Sequence, residues 1–129
     1  MYKINYDVAT FEYEGKSGIG VIIRDSHGAA IASLLQLIPC VYQAANMEAN
    51  VANRALEFAR EIGINDAILE GDSSLVHLAL KRGEHSSSPF RLLVEDIKLS
   101  LASFSTLLYS HTKREGNKVA HGLARHVIM

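Results

Sequence analysis

Apolar and polar residues alternate along the N-terminal third of the chain, and this pattern predicts strands. Over residues 2–9 the large side chains fall on one side and most polar ones on the other, as in a strand with one buried face. After a turn at residues 14–18, residues 19–24 and 29–38 are predicted as two further strands. Residues 25–28 form a polar tetrad that ends in glycine, which suits an antiparallel hairpin because glycine tolerates a positive φ. The three strands are therefore expected to form a meander.

The spacing of apolar residues becomes helical from residue 44 onward. Residues 44–62 carry an apolar stripe at intervals of three and four residues, which predicts an amphipathic helix. The stripe consists of Ala52, Ala55, Leu56, Ala59 and Ile62. Gly63 follows as the expected C-cap, and residues 66–71 contain a short apolar run that predicts a fourth strand.

The rest of the chain continues this alternation of helix and strand. A helix is expected from residue 73 or 74 to about residue 81. Another is expected over residues 89–101, since Pro89 is a favourable first helical residue. Residues 106–109 predict the last strand, and a terminal helix is expected from about Asn117. This order predicts an α/β fold in which a mixed five-stranded sheet, an antiparallel meander plus parallel crossovers, is flanked by helices.

The size of the chain suits one domain. It has 129 residues, of which 48% are hydrophobic, enough for a packed core. We therefore expect a single domain over residues 1–129. A longer polypeptide with further domains stays open, and so does the oligomeric state.

Three acidic residues fall where this fold can bring them to one edge of the sheet. Asp7 lies near the end of the first strand, Asp72 directly after the fourth, and Glu48 on the apolar side of the first helix near its start. Each has an ordinary interpretation when taken alone. Asp7 suits a solvated strand end, Asp72 a helix N-cap, and Glu48 a capping or helix-dipole contact. These alternatives stay open for each residue singly.

A convergence of the three carboxylates would require a counter-charge. Carboxylates about 4 Å apart at a protein surface repel by about 4 kcal/mol per pair, so such a cluster persists only with protons or cations. The hard, oxygen-preferring ions Mg²⁺ and Mn²⁺ fit best. A pair of such ions can activate water and stabilise the attacking and leaving oxygens of a phosphodiester displacement. The three acids together therefore predict a divalent-metal site.

Five segments that contain or surround these acids have a specific order and spacing. They are residues 3–9 (KINYDVA), 20–28 (GVIIRDSHG), 48–49 (EA), 70–73 (EGDS) and 111–124 (HTKREGNKVAHGLA). In this arrangement nearly the whole chain resembles the ribonuclease H superfamily, specifically the reverse-transcriptase-like ribonuclease H domains of plant retroelement-derived proteins. The resemblance implies a ribonuclease H-like fold and cleavage of the RNA strand of RNA:DNA hybrids. It puts Asp7, Glu48 and Asp72 in the places of the first three catalytic, metal-binding acids.

The fourth acid of the family's pattern is replaced. Typical active members have an aspartate in the final helix, and the matching residue is His121. A neutral imidazole removes one negative charge and is a poorer ligand for Mg²⁺, although it suits Mn²⁺ better. With this histidine, the domain either keeps an activity that depends on the metal supplied or loses its activity, and both alternatives stay open. So does an ordinary, partly exposed helix histidine in place of a metal ligand.

The loop before that helix departs from the pattern as well. Arg114 occupies the position of the family's proton-shuttling histidine, and His111 matches an earlier histidine of the loop. Arginine cannot relay protons at neutral pH but can stabilise phosphate charge. His111 either substitutes for the shuttle or is an ordinary loop histidine. Arg114, Lys113 and Arg24 are candidate phosphate contacts, and Asn117 either caps the helix or contacts substrate.

The net charge and the cysteine content limit which partners and which cellular compartment are expected. Thirteen basic and fourteen acidic residues leave a net charge of -1, so nucleic acid is expected to bind locally rather than through an overall positive field. The lone Cys40 excludes an internal disulfide and a Cys-based zinc site, and it favours a reducing intracellular compartment, nuclear or cytoplasmic. No run of membrane-spanning length and no signal-peptide pattern is present, so no membrane partner is expected.

Three functions follow from the sequence. The leading one is a divalent-metal-dependent endonuclease that hydrolyses the RNA strand of RNA:DNA hybrids. The second is a catalytically impaired ribonuclease H-like module that binds nucleic acid, because His121 replaces the fourth acid. The third is a structural or protein-interaction domain that binds neither metal nor hybrid.

Overall fold

Strands and helices follow one another in the order that the hydrophobic pattern predicts. The structure, a computed structural model, describes residues 1–39, 44–71 and 88–111. Its strands are β1 (Tyr2–Phe11), β2 (Lys16–Arg24), β3 (Ala30–Ile38), β4 (Asp66–Gly71) and β5 (Thr106–His111). Its α-helices are α1 (Ala44–Glu61) and α2 (Ser88–Ser103). The helices predicted over residues 73–81 and from Asn117 lie outside the described residues.

The five strands form one mixed sheet in the order β3-β2-β1-β4-β5. β1 pairs antiparallel with β2, and β2 with β3, which gives the meander. β4 pairs parallel with both β1 and β5. Parallel strands need crossover connections; α1 lies in the connection from β3 to β4, and α2 in the one from β4 to its parallel neighbour β5. The predicted α/β fold with a mixed five-stranded sheet is confirmed.

The core lies between α1 and the face of the sheet that carries Ile4 and Tyr6. We call this the inner face. The outer face carries Lys3, Asn5 and Asp7, because successive residues of a strand point to opposite sides. Four residues of the predicted helical stripe are fully buried in the core: Ala52, Ala55, Leu56 and Ala59. α2 packs beside α1. No helix in the described part of the chain is long and apolar enough to cross a membrane.

The fifth residue of the predicted stripe, Ile62, is not in the core but 44% exposed. α1 ends at Glu61, and Gly63 adopts a φ of 87°. The Gly63 N–H donates to the Arg60 carbonyl and the Ile64 N–H to the Ala59 carbonyl, both at 3.0 Å. These two hydrogen bonds together form a Schellman motif. It confirms Gly63 as the C-cap and buries Ile64 in place of Ile62, so the prediction for Ile62 was wrong.

The turn between β1 and β2 is shorter than predicted. A 3₁₀ helix spans Glu12–Glu14, Gly15 has a φ of 63°, and β2 already starts at Lys16, which pairs with Phe11. Residues 17 and 18, which the turn prediction included, therefore belong to the ladder. Their backbone hydrogen bonds to β1 outweigh the local turn preference of serine and glycine.

The hairpin between β2 and β3 is built on Asp25 and Gly28, as the polar tetrad predicts. Gly28 has a φ of 85°, and its N–H donates to the Asp25 carbonyl at 3.0 Å. One carboxylate oxygen of Asp25, Oδ1, accepts hydrogen bonds from the N–H groups of Ala29 and His27, each at 2.9 Å. These two donors favour the ionised form and lower the pKa of Asp25 below its usual value.

Candidate active site

Asp7 is a buried carboxylate on the outer face of β1. It is 1% exposed, and its Oδ1 accepts a hydrogen bond from the Val8 N–H at 2.8 Å. Its partner on β2 is Gly20, which has no side chain. A carboxylate this far from water needs donors or a cation to offset its lost hydration. The solvated strand end that was the ordinary alternative for Asp7 therefore does not describe its environment.

Glu48 is the only acidic residue among the first three turns of α1, and it lies between two fully buried residues, Met47 and Ala49. The Oε2 atom of Glu48 is itself buried. α1 packs against β1, the strand that carries Asp7. Both carboxylates are therefore withdrawn from water, Asp7 on the outer face of β1 and Glu48 on the helix that covers the inner face.

Asp72 lies outside the described residues but is bonded to Gly71, the last residue of β4. β1 and β4 are parallel, and Asn5 is paired with Glu70. Asp7 follows Asn5 by two residues, as Asp72 follows Glu70. Among the residues that the structure describes, no group of three or more His, Cys, Asp or Glu side chains has the spacing of a metal site.

On the inner face, Tyr6 and Tyr109 meet beside the end of β4. Their hydroxyl oxygens are 2.8 Å apart. A Cβ atom at Gly71 would lie 2.6 Å from Cε1 of the Tyr6 ring, well inside van der Waals contact. The close approach of the ring to the backbone is therefore possible only with glycine at this position.

On the outer face, polar side chains join β2, β1 and β4. The Asn5 amide nitrogen, Nδ2, donates to Oε1 of Glu70 at 2.9 Å, and Oδ1 of Asn5 accepts from a guanidinium nitrogen of Arg24 at 3.4 Å. The Lys3 ammonium lies 3.6 Å from Oε2 of Glu70. Sequence reasoning missed Asn5 and Glu70, although each precedes a predicted acid by two residues within the motifs that contain them.

The candidate phosphate contacts fall in different places. Arg24 pairs with Lys3, four residues before Asp7, so about 13 Å of strand separates its level from the acid. With Lys3 and Asp25 it lines a cavity at that end of the sheet. His111 ends β5, and its backbone pairs with Gly71. The remaining candidates lie outside the described residues: Lys113, Arg114, Asn117 and His121.

Residues 5–127 match the model of the family described as reverse transcriptase-like. The chain belongs to the reverse transcriptase-like family. The match includes most of β1, which carries Asp7, and all of α1, which carries Glu48. It also includes β4, which ends directly before Asp72. No curated protein sequence matches this reverse transcriptase-like domain.

Solved structures give the domain the ribonuclease H fold. Ribonuclease H1 of the halophilic archaeon Halobacterium salinarum superposes with a TM-score of 0.89 at 23% identity, over 98% of this chain and 96% of that one. LC11 ribonuclease H1, solved with an RNA/DNA hybrid, gives 0.86 at 21% identity, over 99% and 96%. The foamy viral protease-reverse transcriptase, also solved with a hybrid, gives 0.74 at 14% identity, over 98% of this chain and 19% of that one. The predicted ribonuclease H-like fold is confirmed, as is the predicted reverse transcriptase-like family.

Proposed function

We propose that this domain is a divalent-metal-dependent endonuclease that hydrolyses the RNA strand of RNA:DNA hybrids. The observation that carries the proposal is the Asp7 carboxylate, buried at 1% exposure beside the strand end that leads to Asp72. Burying an ionised carboxylate is costly unless something compensates its charge. A second carboxylate, Glu48, has its Oε2 buried on the helix that packs against the same strand.

The donor set fits a hard divalent cation. Asp7, Glu48 and Asp72 offer carboxylate oxygens, which Mg²⁺ and Mn²⁺ prefer, and His121 would add one imidazole nitrogen, which suits Mn²⁺ better than Mg²⁺. A bound metal would activate the attacking water and stabilise charge on the phosphodiester. His111, which ends the strand paired with Gly71, is proposed to exchange a proton near the leaving group.

The hybrid as substrate is supported by the relatives. LC11 ribonuclease H1 and the foamy viral enzyme were both solved with RNA/DNA hybrids, and we extend that substrate class to this chain. We propose Lys113 and Arg114 as phosphate contacts and Asn117 as a cap or substrate contact. Arg24 is better suited to a structural role, because its guanidinium is engaged by Asn5.

Cleavage of a labelled hybrid by the full chain, in Mg²⁺ and in Mn²⁺, tests the proposal. Asp7→Asn and Asp72→Asn should each abolish cleavage. Asp66→Asn is the matched control, because it removes the same charge from the exposed opposite end of β4 and should leave the rate unchanged. An inactive wild type in both metals, or equal cleavage by Asp7→Asn, would refute the proposed activity.

The second candidate is a hybrid-binding module without turnover. The observation that favours it is His121 in the place of the family's fourth acid. It predicts that the wild type binds hybrid without cutting it and that His121→Asp gains cleavage. The link to plant retroelement-derived proteins and the intracellular location stay predictions from the sequence.

A further inference from the structure

Four polar side chains on the outer face form one connected group, and two of them, Asn5 and Glu70, lie two residues before the proposed metal ligands. We call the group formed by Lys3, Asn5, Arg24 and Glu70 the outer-face clamp. Asn5 is its centre, donating to the Glu70 carboxylate at 2.9 Å and accepting from the Arg24 guanidinium at 3.4 Å. The Lys3 ammonium, 3.6 Å from the same carboxylate, completes it. The clamp thus ties three adjacent strands together.

The central pair of the clamp is withdrawn from water. Asn5 is 2% exposed, and the Glu70 side chain is 15% exposed. The amide can serve both neighbours in one orientation only, with its nitrogen toward the carboxylate and its oxygen toward the guanidinium. A flipped amide would put Oδ1 of Asn5 against Oε1 of Glu70. Each hydrogen bond therefore has one charged partner, which makes it stronger than a bond between neutral groups.

The position of this pair gives it a consequence for the site. Asn5 and Glu70 are the last paired residues of the β1–β4 ladder. The side chains of a strand point to one face at every second residue, so Asp7 is the next residue on the same face of β1. Asp72 follows Glu70 by the same interval. A slip of one residue between the strands would turn one acid to the opposite face.

Stability alone does not account for the choice of residues. Well-packed apolar side chains in place of a buried polar pair are often neutral or stabilising, and the best attested role of such pairs is to specify register. β1 and β4 already contribute Ile4, Tyr6, Ala67 and Leu69 to the core. The polar pair at the end of their ladder therefore supplies what the apolar contacts lack, which is a unique alignment of the two strand ends.

We propose that Asn5 and Glu70 are positioning residues whose hydrogen bond aligns the strand ends that carry Asp7 and Asp72 and thereby sets the metal affinity of the site. The inference rests on the proposed function. It concerns residues that do not themselves contact the metal or the substrate. Substitution of Asn5 or Glu70 therefore changes how the metal ligands are aligned and leaves the ligands themselves in place.

Calorimetric titration of the full chain with Mn²⁺ tests the inference, with thermal unfolding measured in parallel. Asn5→Leu removes the hydrogen bond without changing the net charge, and we expect about tenfold weaker Mn²⁺ binding, as for other residues that orient metal ligands. The double variant Asn5→Asp with Glu70→Gln exchanges donor and acceptor at constant net charge. We expect its affinity to return to within about threefold of the wild type, because the new amide donates to the new carboxylate beside Arg24.

Phe104→Leu is the control for stability, because Phe104 is buried beside the start of β5, at the opposite end of that strand from His111. It should lower the melting temperature and leave Mn²⁺ affinity unchanged. If Asn5→Leu does not fold, Asn5→Ala replaces it. Two outcomes overturn the inference, provided that the wild type binds metal and cleaves hybrid. One is an unchanged Mn²⁺ affinity in the folded Asn5 variant, and the other is a double variant that binds Mn²⁺ as weakly as that variant. A wild type that neither binds Mn²⁺ nor cleaves hybrid refutes the proposed function, and the positioning role with it.

Discussion

The hydroxyl groups of Tyr6 and Tyr109 are 2.8 Å apart, although β4 lies between the two strands that carry them. The Tyr6 ring spans this gap by crossing Gly71, where a Cβ atom would approach Cε1 and the hydroxyl oxygen of Tyr6 to 2.6 Å. Glycine before Asp72 is thus explained by packing on the inner face. The outer-face clamp secures the same strand end from the opposite side.

Substitution of Gly71 by alanine should destabilise the domain. The added methyl group collides with the Tyr6 ring, and overpacking of this kind costs about 1–3 kcal/mol. Chemical denaturation measures the loss. The double variant with Tyr6→Leu should lose less than the two single variants add up to, since a smaller side chain relieves the collision. Strictly additive losses would show that the ring does not cause the requirement for glycine.

The hydroxyl contact between Tyr6 and Tyr109 should be worth about 1 kcal/mol to stability. Tyr6→Phe and Tyr109→Phe each remove one partner, and each should lower the free energy of unfolding by about that amount. The double phenylalanine variant should cost less than the sum, because the contact is already lost in either single variant. A double variant whose loss of stability equals the sum of the two single losses would contradict the contact.

The hairpin carboxylate Asp25 should make stability depend on acidic pH. Its pKa is lowered in the folded state by hydrogen bonds from the Ala29 and His27 N–H groups, so the ionised form is favoured by folding. This stabilisation is fully present above the unfolded pKa of about 3.9 and is lost as the pH falls through the lower folded pKa. Asp25→Asn should therefore be less stable than the wild type at pH 7. Denaturation curves at pH 2–7 should show that difference shrinking below about pH 3.9, and a difference independent of pH would contradict the assignment.

The meander and the first helix could be predicted because their signals are local. Alternation, the polar tetrad before β3, and the stripe capped by Gly63 each depend on neighbouring residues. The burial of Ile64 instead of Ile62 depends on the two hydrogen bonds of the cap, which the stripe alone does not reveal.

The candidate site was predictable in part. Glu48 could be chosen because it combines charge with a position on the apolar side of its helix, and Asp7 because it lies near a strand end within a segment that carries the family resemblance. The burial of Asp7 was not predicted. The Asn5–Glu70 hydrogen bond joins residues 65 positions apart, and no periodic pattern relates them. Only the pairing of β1 with β4 brings the two side chains together.

Metal binding at Asp7 should also change the stability of the folded protein, independently of turnover. If Asp7 is a metal ligand, Mn²⁺ binds the folded chain in preference to the unfolded one and raises its stability by about 2.7 kcal/mol at one hundred times the dissociation constant. Asp7→Asn should abolish this rise. Its stability without metal should stay close to that of the wild type, because an amide oxygen can still accept from the Val8 N–H that Oδ1 now engages. Asp66→Asn, at the exposed start of β4, should keep the full response. Thermal unfolding with Mn²⁺ and with chelator measures all three proteins. Equal stabilisation of Asp7→Asn and the wild type would show that the metal binds elsewhere, whatever the cleavage assay reports.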